Sequence, residues 1–187
     1  MNVIRPIRYS LCLEPDLVHF RFSGMVDIEL QSRQPVKQVV LNILELAVWS
    51  CELQLDNRKI VCPFQINPEK EELKIDLPET MSGTFFLTID YQGWINDKMA
   101  GFYRITFETN GQKRTIAVTQ FQESDARRAF PCMDHPSQKA LFDIKMIVDA
   151  DLVALSNGPV VEEKPLAGGK KQVQFETTPP MSTYLLF

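Results

Sequence analysis

The sequence predicts an all-β protein, a saddle-like β-sandwich of mainly antiparallel strands, and three observations predict it. Short apolar runs that alternate in and out recur about every ten residues. Proline, glycine, asparagine and aspartate cluster between the runs, as turns require. Helical periodicity is scarce: the one candidate, Glu123 to Ala129, is a polar turn or two that stops before Phe130-Pro131, because proline pushes its predecessor out of helical space. With 187 residues, 44% hydrophobic and 24% charged, the chain can bury a core and has a globular rather than a disordered or fibrous composition.

The elements follow in order. Tyr9, Leu11 and Leu13 alternate with Arg8, Ser10 and Cys12, which marks the first strand. After a turn at Pro15-Asp16, a long second strand runs from Phe20 through Phe22, Val26 and Ile28 to Leu30, with Gly24 as a bulge or bend. Further strands are expected at Lys37–Ile43, Val48–Leu55, Arg58–Ile66, Glu72–Leu77, Thr84–Tyr91, Phe102–Thr109, Thr115–Phe121, Ala140–Val148, Lys171–Thr177 and from Ser182 to the end. Turns separate them at Asp56-Asn57, Asn67-Pro68, Ser82-Gly83, Asn110-Gly111 and Gly168-Gly169, and Asn110-Gly111 is the strongest two-residue hairpin signal. The chain stops on the apolar segment Met181 to Phe187 without a polar tail, which reads as a domain cut from a longer chain.

Charge and composition exclude several classes. Twenty basic and twenty-four acidic residues give a net charge of −4, and basic residues do not gather beyond pairs, so nucleic acid is not an expected partner. No run of about eighteen apolar residues is present, so no membrane span is expected, and the N-terminus lacks the apolar block of a secretory signal. Cys12, Cys51, Cys62 and Cys132 form no Cys-x-x-Cys pair, which points to reduced, structural thiols and a cytoplasmic location.

Few residues can carry catalysis. His19 and His135 are the two histidines, so neither a His-Glu-x-x-His helix nor a three-histidine site can form, and no catalytic or metal-ligating residue is expected in the chain. Cys132, Asp134 and His135 read as part of a turn rather than as ligands. No Gly-x-Ser-x-Gly elbow supports a nucleophile. The densest polar segment is Thr119 to Pro136, with two amides, three acids and two arginines. If the preceding strand continues through Gln122, then Gln120 and Gln122 share one face, where two amides could hold a polar or cationic group without ionising. A solvated strand face is the alternative. Arg127 and Arg128, near Asp125 and Asp134, read as a local salt-bridge clamp.

The segment Thr119-Gln120-Phe121-Gln122, Asp125-Ala126-Arg127-Arg128, Phe130-Pro131-Cys132 and Asp134-His135-Pro136 resembles a hallmark of the N-terminal β-domain of the M1 zinc aminopeptidases. Family-like elements flank it in order: Arg5 to Leu11, Glu14 to Leu17, Phe22 to Val26, Gly101-Phe102-Tyr103-Arg104, Lys139 to Ile144, Ala154 to Asn157 and Pro179 to Leu185. The resemblance covers nearly the whole of residues 1–187 and implies one N-terminal β-domain, truncated before a thermolysin-like catalytic domain. It implies a parent enzyme that removes N-terminal residues from peptides, with zinc held outside this chain and the β-domain capping the substrate. The expected partners are peptide N-termini and the absent catalytic domain. By the same resemblance Gln120 lines the pocket for the first substrate side chain, and Gln122 stands where most members carry a glutamate that anchors the α-ammonium group. A neutral amide gives a weaker bond there than a carboxylate. His135 and Met133 also depart from the pattern, replacing a usual glutamate and a usual aromatic.

Two other functions compete. A stand-alone β-sandwich binding module would need its last strand finished and its edge protected. A parent with an epoxide-hydrolase activity like that of leukotriene A4 hydrolase is suggested by Gln122 alone.

Overall fold

A computed structural model describes residues 3–55 and 58–187, so the turn expected at Asp56-Asn57 lies outside the described residues. The strands are β1 (Ile4–Asp16), β2 (Arg21–Asn42), β3 (Leu46–Leu55), β4 (Arg58–Val61), β5 (Phe64–Asn67), β6 (Glu72–Trp94), β7 (Gly101–Thr109), β8 (Gln112–Gln120), β9 (Leu141–Asp149), β10 (Val160–Leu166) and β11 (Lys170–Phe175). Nine of them form one sheet in the order β10-β11-β9-β1-β2-β6-β3-β4, with β5 also paired to β6, and β7 and β8 form a second sheet. β1 and β9 run parallel, and the other strand pairs among the described residues are antiparallel. The all-β sandwich predicted from the alternation is the fold observed.

Alternation decides which face of β1 is buried. Tyr9, Leu11 and Leu13 face the core, while Arg8 and Ser10 face outward and hydrogen-bond Asp143 of β9. Tyr9 stacks on Phe142 with centroids 5.3 Å apart and meets Phe130 edge-on at 5.8 Å. Phe22, Val26, Ile28 and Leu30 of β2 and Phe85, Leu87, Ile89 and Tyr91 of β6 continue this buried layer.

The main departures concern breaks. Two expected strands merge into β2 and two into β6, because the strands pair with each other on both sides of an irregularity: Ser32 opposes Gly83, and Val36 opposes Met81 beyond the shift. Ser82-Gly83, expected to be a chain reversal, is thus a bulge in a paired ribbon, with Gly83 at φ +74°. The expected strand Arg58–Ile66 is split at Pro63 into β4 and β5, and β10 has no counterpart in the expectation. All of β10 is exposed, so it carries no buried alternation to read, and Pro165 disguises it further. Its hairpin with β11 turns at Gly168-Gly169, both at positive φ. Asn110-Gly111 makes the expected turn between β7 and β8, at φ 50° and 72°.

Near the C-terminus the expected strand is reduced to a bridge between Met181 and Ala140, followed by a 3₁₀ turn at Thr183–Leu185. Side chains explain this. Ser182 Oγ donates to the Pro136 carbonyl at 2.5 Å and Thr183 Oγ1 donates to Asp134 Oδ1 at 2.6 Å, which holds the chain against the loop rather than in a ladder.

Gly24 is neither bulge nor bend: it stays in register opposite Leu13 and Tyr91. A Cβ at this position would overlap the Tyr91 ring. Glycine is therefore required by close approach, and Gly24→Ala should destabilise the chain by about 1–3 kcal/mol through forced displacement of Tyr91. Urea denaturation followed by circular dichroism reads this loss, and an unchanged midpoint would show that the ring has room to move.

Candidate functional site

The candidate site is the loop that leaves β8. Gln120 is the last residue of β8 and pairs with Gly101 of β7. The strand does not continue through Gln122, as the shared-face reading required. Instead Phe121 turns inward, 3% exposed, and packs edge-on against Phe130 at 6.2 Å. Burial of this aromatic outweighs further extension of the strand. The Asp125 amide then donates to the Phe121 carbonyl at 2.9 Å, closing a tight turn over Gln122, Glu123 and Ser124, all three exposed. The Gln122–Glu123 peptide is cis. Gln120 and Gln122 are both exposed, and neither side chain hydrogen-bonds another described residue. Two amides without a described partner thus sit two positions apart, one at the end of β8 and one on the turn that follows it.

The expected helical piece is a single 3₁₀ turn, Ala126–Arg128, and it carries the clamp. Arg128 Nε donates to Asp125 Oδ1 at 2.8 Å, and its Nη1 donates to Glu45 Oε2 at 2.7 Å. Lys98 Nζ donates to the other Glu45 oxygen at 2.8 Å. Lys98, and then Arg128, hold the Glu45 carboxyl below the usual glutamate range despite partial burial. Arg127 faces the other way: Nη1 donates to Glu71 Oε2 at 2.7 Å and Nε donates to Asp134 Oδ2 at 3.1 Å. Burial works against its charge, but the bonds to Asp134 and Glu71 more than offset this and raise its pKa. The two arginines therefore form the salt-bridge clamp that their spacing suggested.

Asp134 is buried, and its amide donates to Asn42 Oδ1 at 3.0 Å. Asn42 and Cys132 exchange backbone hydrogen bonds, so the segment is stitched to the end of β2. His135 is exposed, its Nδ1 2.8 Å from Ser137 Oγ, and half-buried Met133 donates its amide to Tyr9 Oη. Both departures from the family pattern thus lie in a packed turn.

No group of three His, Cys, Asp or Glu side chains among the described residues converges as a metal site. His19 is tied to Asp16, and burial pushes the Cys132 thiol well up and the Cys51 thiol up to about 12. No helix among them is long and apolar enough to cross a membrane.

Two concavities lie near the loop or across the sheet. An apolar groove of about 290 Å³ includes Thr119 and Phe121 in its wall but neither glutamine. A larger, more polar hollow of about 830 Å³ spans the outer face from Glu14 to Trp49.

Sequence reasoning missed Glu45 and Lys98, which lie 83 and 30 positions before Arg128 and join it only in the fold. No local signal marks either residue; what the sequence does offer at this junction, beneath Arg128, is Gly101. Its φ is +70°, and a Cβ there would come within 2.5 Å of Arg128 Cβ. In the same Gly-Phe-Tyr-Arg element, Arg104 lies 4.4 Å from the Phe20 ring centroid and donates to the Ile95 carbonyl at 2.6 Å.

Comparison with known proteins gives the family. A family model described as the peptidase M1 N-terminal domain matches residues 5–185. The chain is 46% identical over 187 residues to aminopeptidase M1-A of Oryza sativa subsp. japonica, covering 97% of this chain and 21% of that protein. It is 42% identical over 187 residues to aminopeptidase M1 of Arabidopsis thaliana, with the same coverage. It is 40% identical over 193 residues to "Aminopeptidase 2, mitochondrial" of Saccharomyces cerevisiae, covering 99% and 20%. The chain spans about a fifth of the length of the curated relatives it matches. The hallmark around the β8 loop, the flanking motifs in order, the all-β fold and these matches agree: the chain belongs to the peptidase M1 N-terminal domain family.

Proposed function

We propose that residues 1–187 form the substrate-capping domain of a zinc-dependent aminopeptidase, inactive alone, in which Gln120 and Gln122 meet the N-terminal end of a peptide. The observation that carries this reading is the pair of exposed, unpartnered amides at the end of β8 and on the hydrogen-bonded turn that follows it, in a member of this family. Gln122 accepts a hydrogen bond from the substrate's α-ammonium group through its side-chain carbonyl, and Gln120 borders the first side chain. The clamp beneath them keeps the ordering cost of binding low. The zinc belongs to the proposal and would be held by residues outside this chain, in a catalytic domain that is also its principal partner. A cytoplasmic setting, in keeping with four free cysteines, completes the reading.

Gln122→Glu in the full-length polypeptide tests it. A carboxylate would add a charge-assisted bond, so KM for a free-amine peptide should fall by about fivefold near neutral pH, equivalent to about 1 kcal/mol. KM for an N-acetylated analogue should not fall. Equal KM values for wild type and Gln122→Glu with the free amine would remove Gln122 from the amine site.

A further inference from the structure

Arg128 touches the neighbours of the Gln120–Gln122 segment on both sides: Gly101, which is paired with Gln120, and Asp125, which closes the turn after Gln122. At the start, its side-chain stem covers Gly101, the residue paired with Gln120, at a separation that leaves no space for a Cβ. At the finish, its Nε holds the Asp125 carboxylate and its own amide donates to the Asp125 carbonyl at 3.1 Å, while the Asp125 amide closes the turn on Phe121. Its remaining arm reaches Glu45 in the connection between β2 and β3, and Glu45 in turn holds Lys98 in the connection between β6 and β7. The Arg128 side chain is 19% exposed, with Asp125 at 27% and Glu45 at 42%, so the Asp125 arm is the better shielded of the two. A planar fork can bind two carboxylates in fixed directions, which an ammonium cannot do.

We propose that Arg128 is the positioning residue for the amine-recognition loop: by locking Asp125 to Glu45 and packing on Gly101, it fixes where Gln122 and Gln120 present their amides. This rests on the functional reading above, and it adds that substrate affinity is set by a residue that never touches substrate. Loss of the fork would let the turn of residues 121–125 move relative to β8. Binding of the free amine would weaken, whereas the chemical step, carried out elsewhere, would not.

The test is a kinetic cycle in the full-length polypeptide with a free-amine peptide substrate, comparing wild type, Arg128→Gln, Gln122→Ala and the double variant. The expected result is a rise in KM of about tenfold for Arg128→Gln with kcat changed less than about twofold, and no further rise when it is added to Gln122→Ala. A purely structural role would lower the melting temperature without this KM split or this non-additivity. If Gln122→Ala raises KM and Arg128→Gln does not, the positioning role is overturned while the functional reading stands. If Gln122→Ala leaves KM unchanged, the functional reading falls and takes the proposal with it. Should Arg128→Gln fail to fold, Arg128→Lys keeps the stem over Gly101 and the charge but loses the fork. A raised KM for that variant supports the role, and an unchanged one overturns it.

Discussion

Arg127→Gln should destabilise the chain by about 3–5 kcal/mol, through the loss of a buried charge partner. The reason is Asp134, whose side chain is 1% exposed while that of Arg127 is 14% exposed. One Asp134 oxygen accepts from Thr183, and the other accepts from the Arg127 amide and guanidinium. Glutamine would leave a buried carboxylate without its cation, and water cannot reach it to compensate. Glu71 would also lose its partner, but its side chain is 38% exposed and can be hydrated. Urea denaturation of Arg127→Gln, Asp134→Asn and the double variant gives the coupling. The double variant should lose less than the sum, because it removes both members of the pair. A loss for Arg127→Gln below about 1 kcal/mol would mean that the pair behaves as a surface ion pair and does not hold the loop.

That the sequence exposes this clamp but not its partners has a physical cause. Arg127, Arg128, Asp125 and Asp134 lie within ten positions and can pair locally, so spacing suffices to suggest them. Glu71 and Glu45 are brought in by strand pairing over long separations, and nothing local marks them. The same distinction runs through the fold. Tyr9, Leu11 and Leu13, or Asn110-Gly111, announce themselves because period-two burial and positive φ are local properties. The continuity of β2 and β6 past Pro35 and Gly83 is not local: each strand survives its irregularity because the other accompanies it. β10 is invisible for the opposite reason, since an edge strand exposed along its length needs no apolar pattern. Gly24 shows a third case, in which the residue was rightly singled out but its cause lay in the Tyr91 ring on another strand. For Gln120 and Gln122, spacing and resemblance suggested the positions, whereas the break after β8 that separates Gln122 from the strand depended on burying Phe121.

Phe130→Ala should cost about 3–5 kcal/mol as well, but through a cavity rather than a charge. Phe130 is fully buried and meets three rings: Tyr9 at 5.8 Å, Phe121 at 6.2 Å and Phe142 at 6.3 Å, all edge-on. These contacts join β1, β9 and the β8 loop at one point. Removing the ring leaves a void that rigid strands on two sides cannot close, so most of the cavity penalty should persist. Phe121 would lose the surface it packs on, and it is this packing that turns the chain inward between Gln120 and Gln122. Phe130→Leu should cost less, because it refills much of the volume while losing the edge-to-face geometry. Denaturation midpoints for the two variants measure the difference. Equal and small losses would show that the aromatic cluster is dispensable and that the loop is held by the arginine clamp alone. A large loss for alanine with a smaller one for leucine would identify Phe130 as the apolar support beneath the loop, complementary to the polar support that Arg128 gives it from the side of β7.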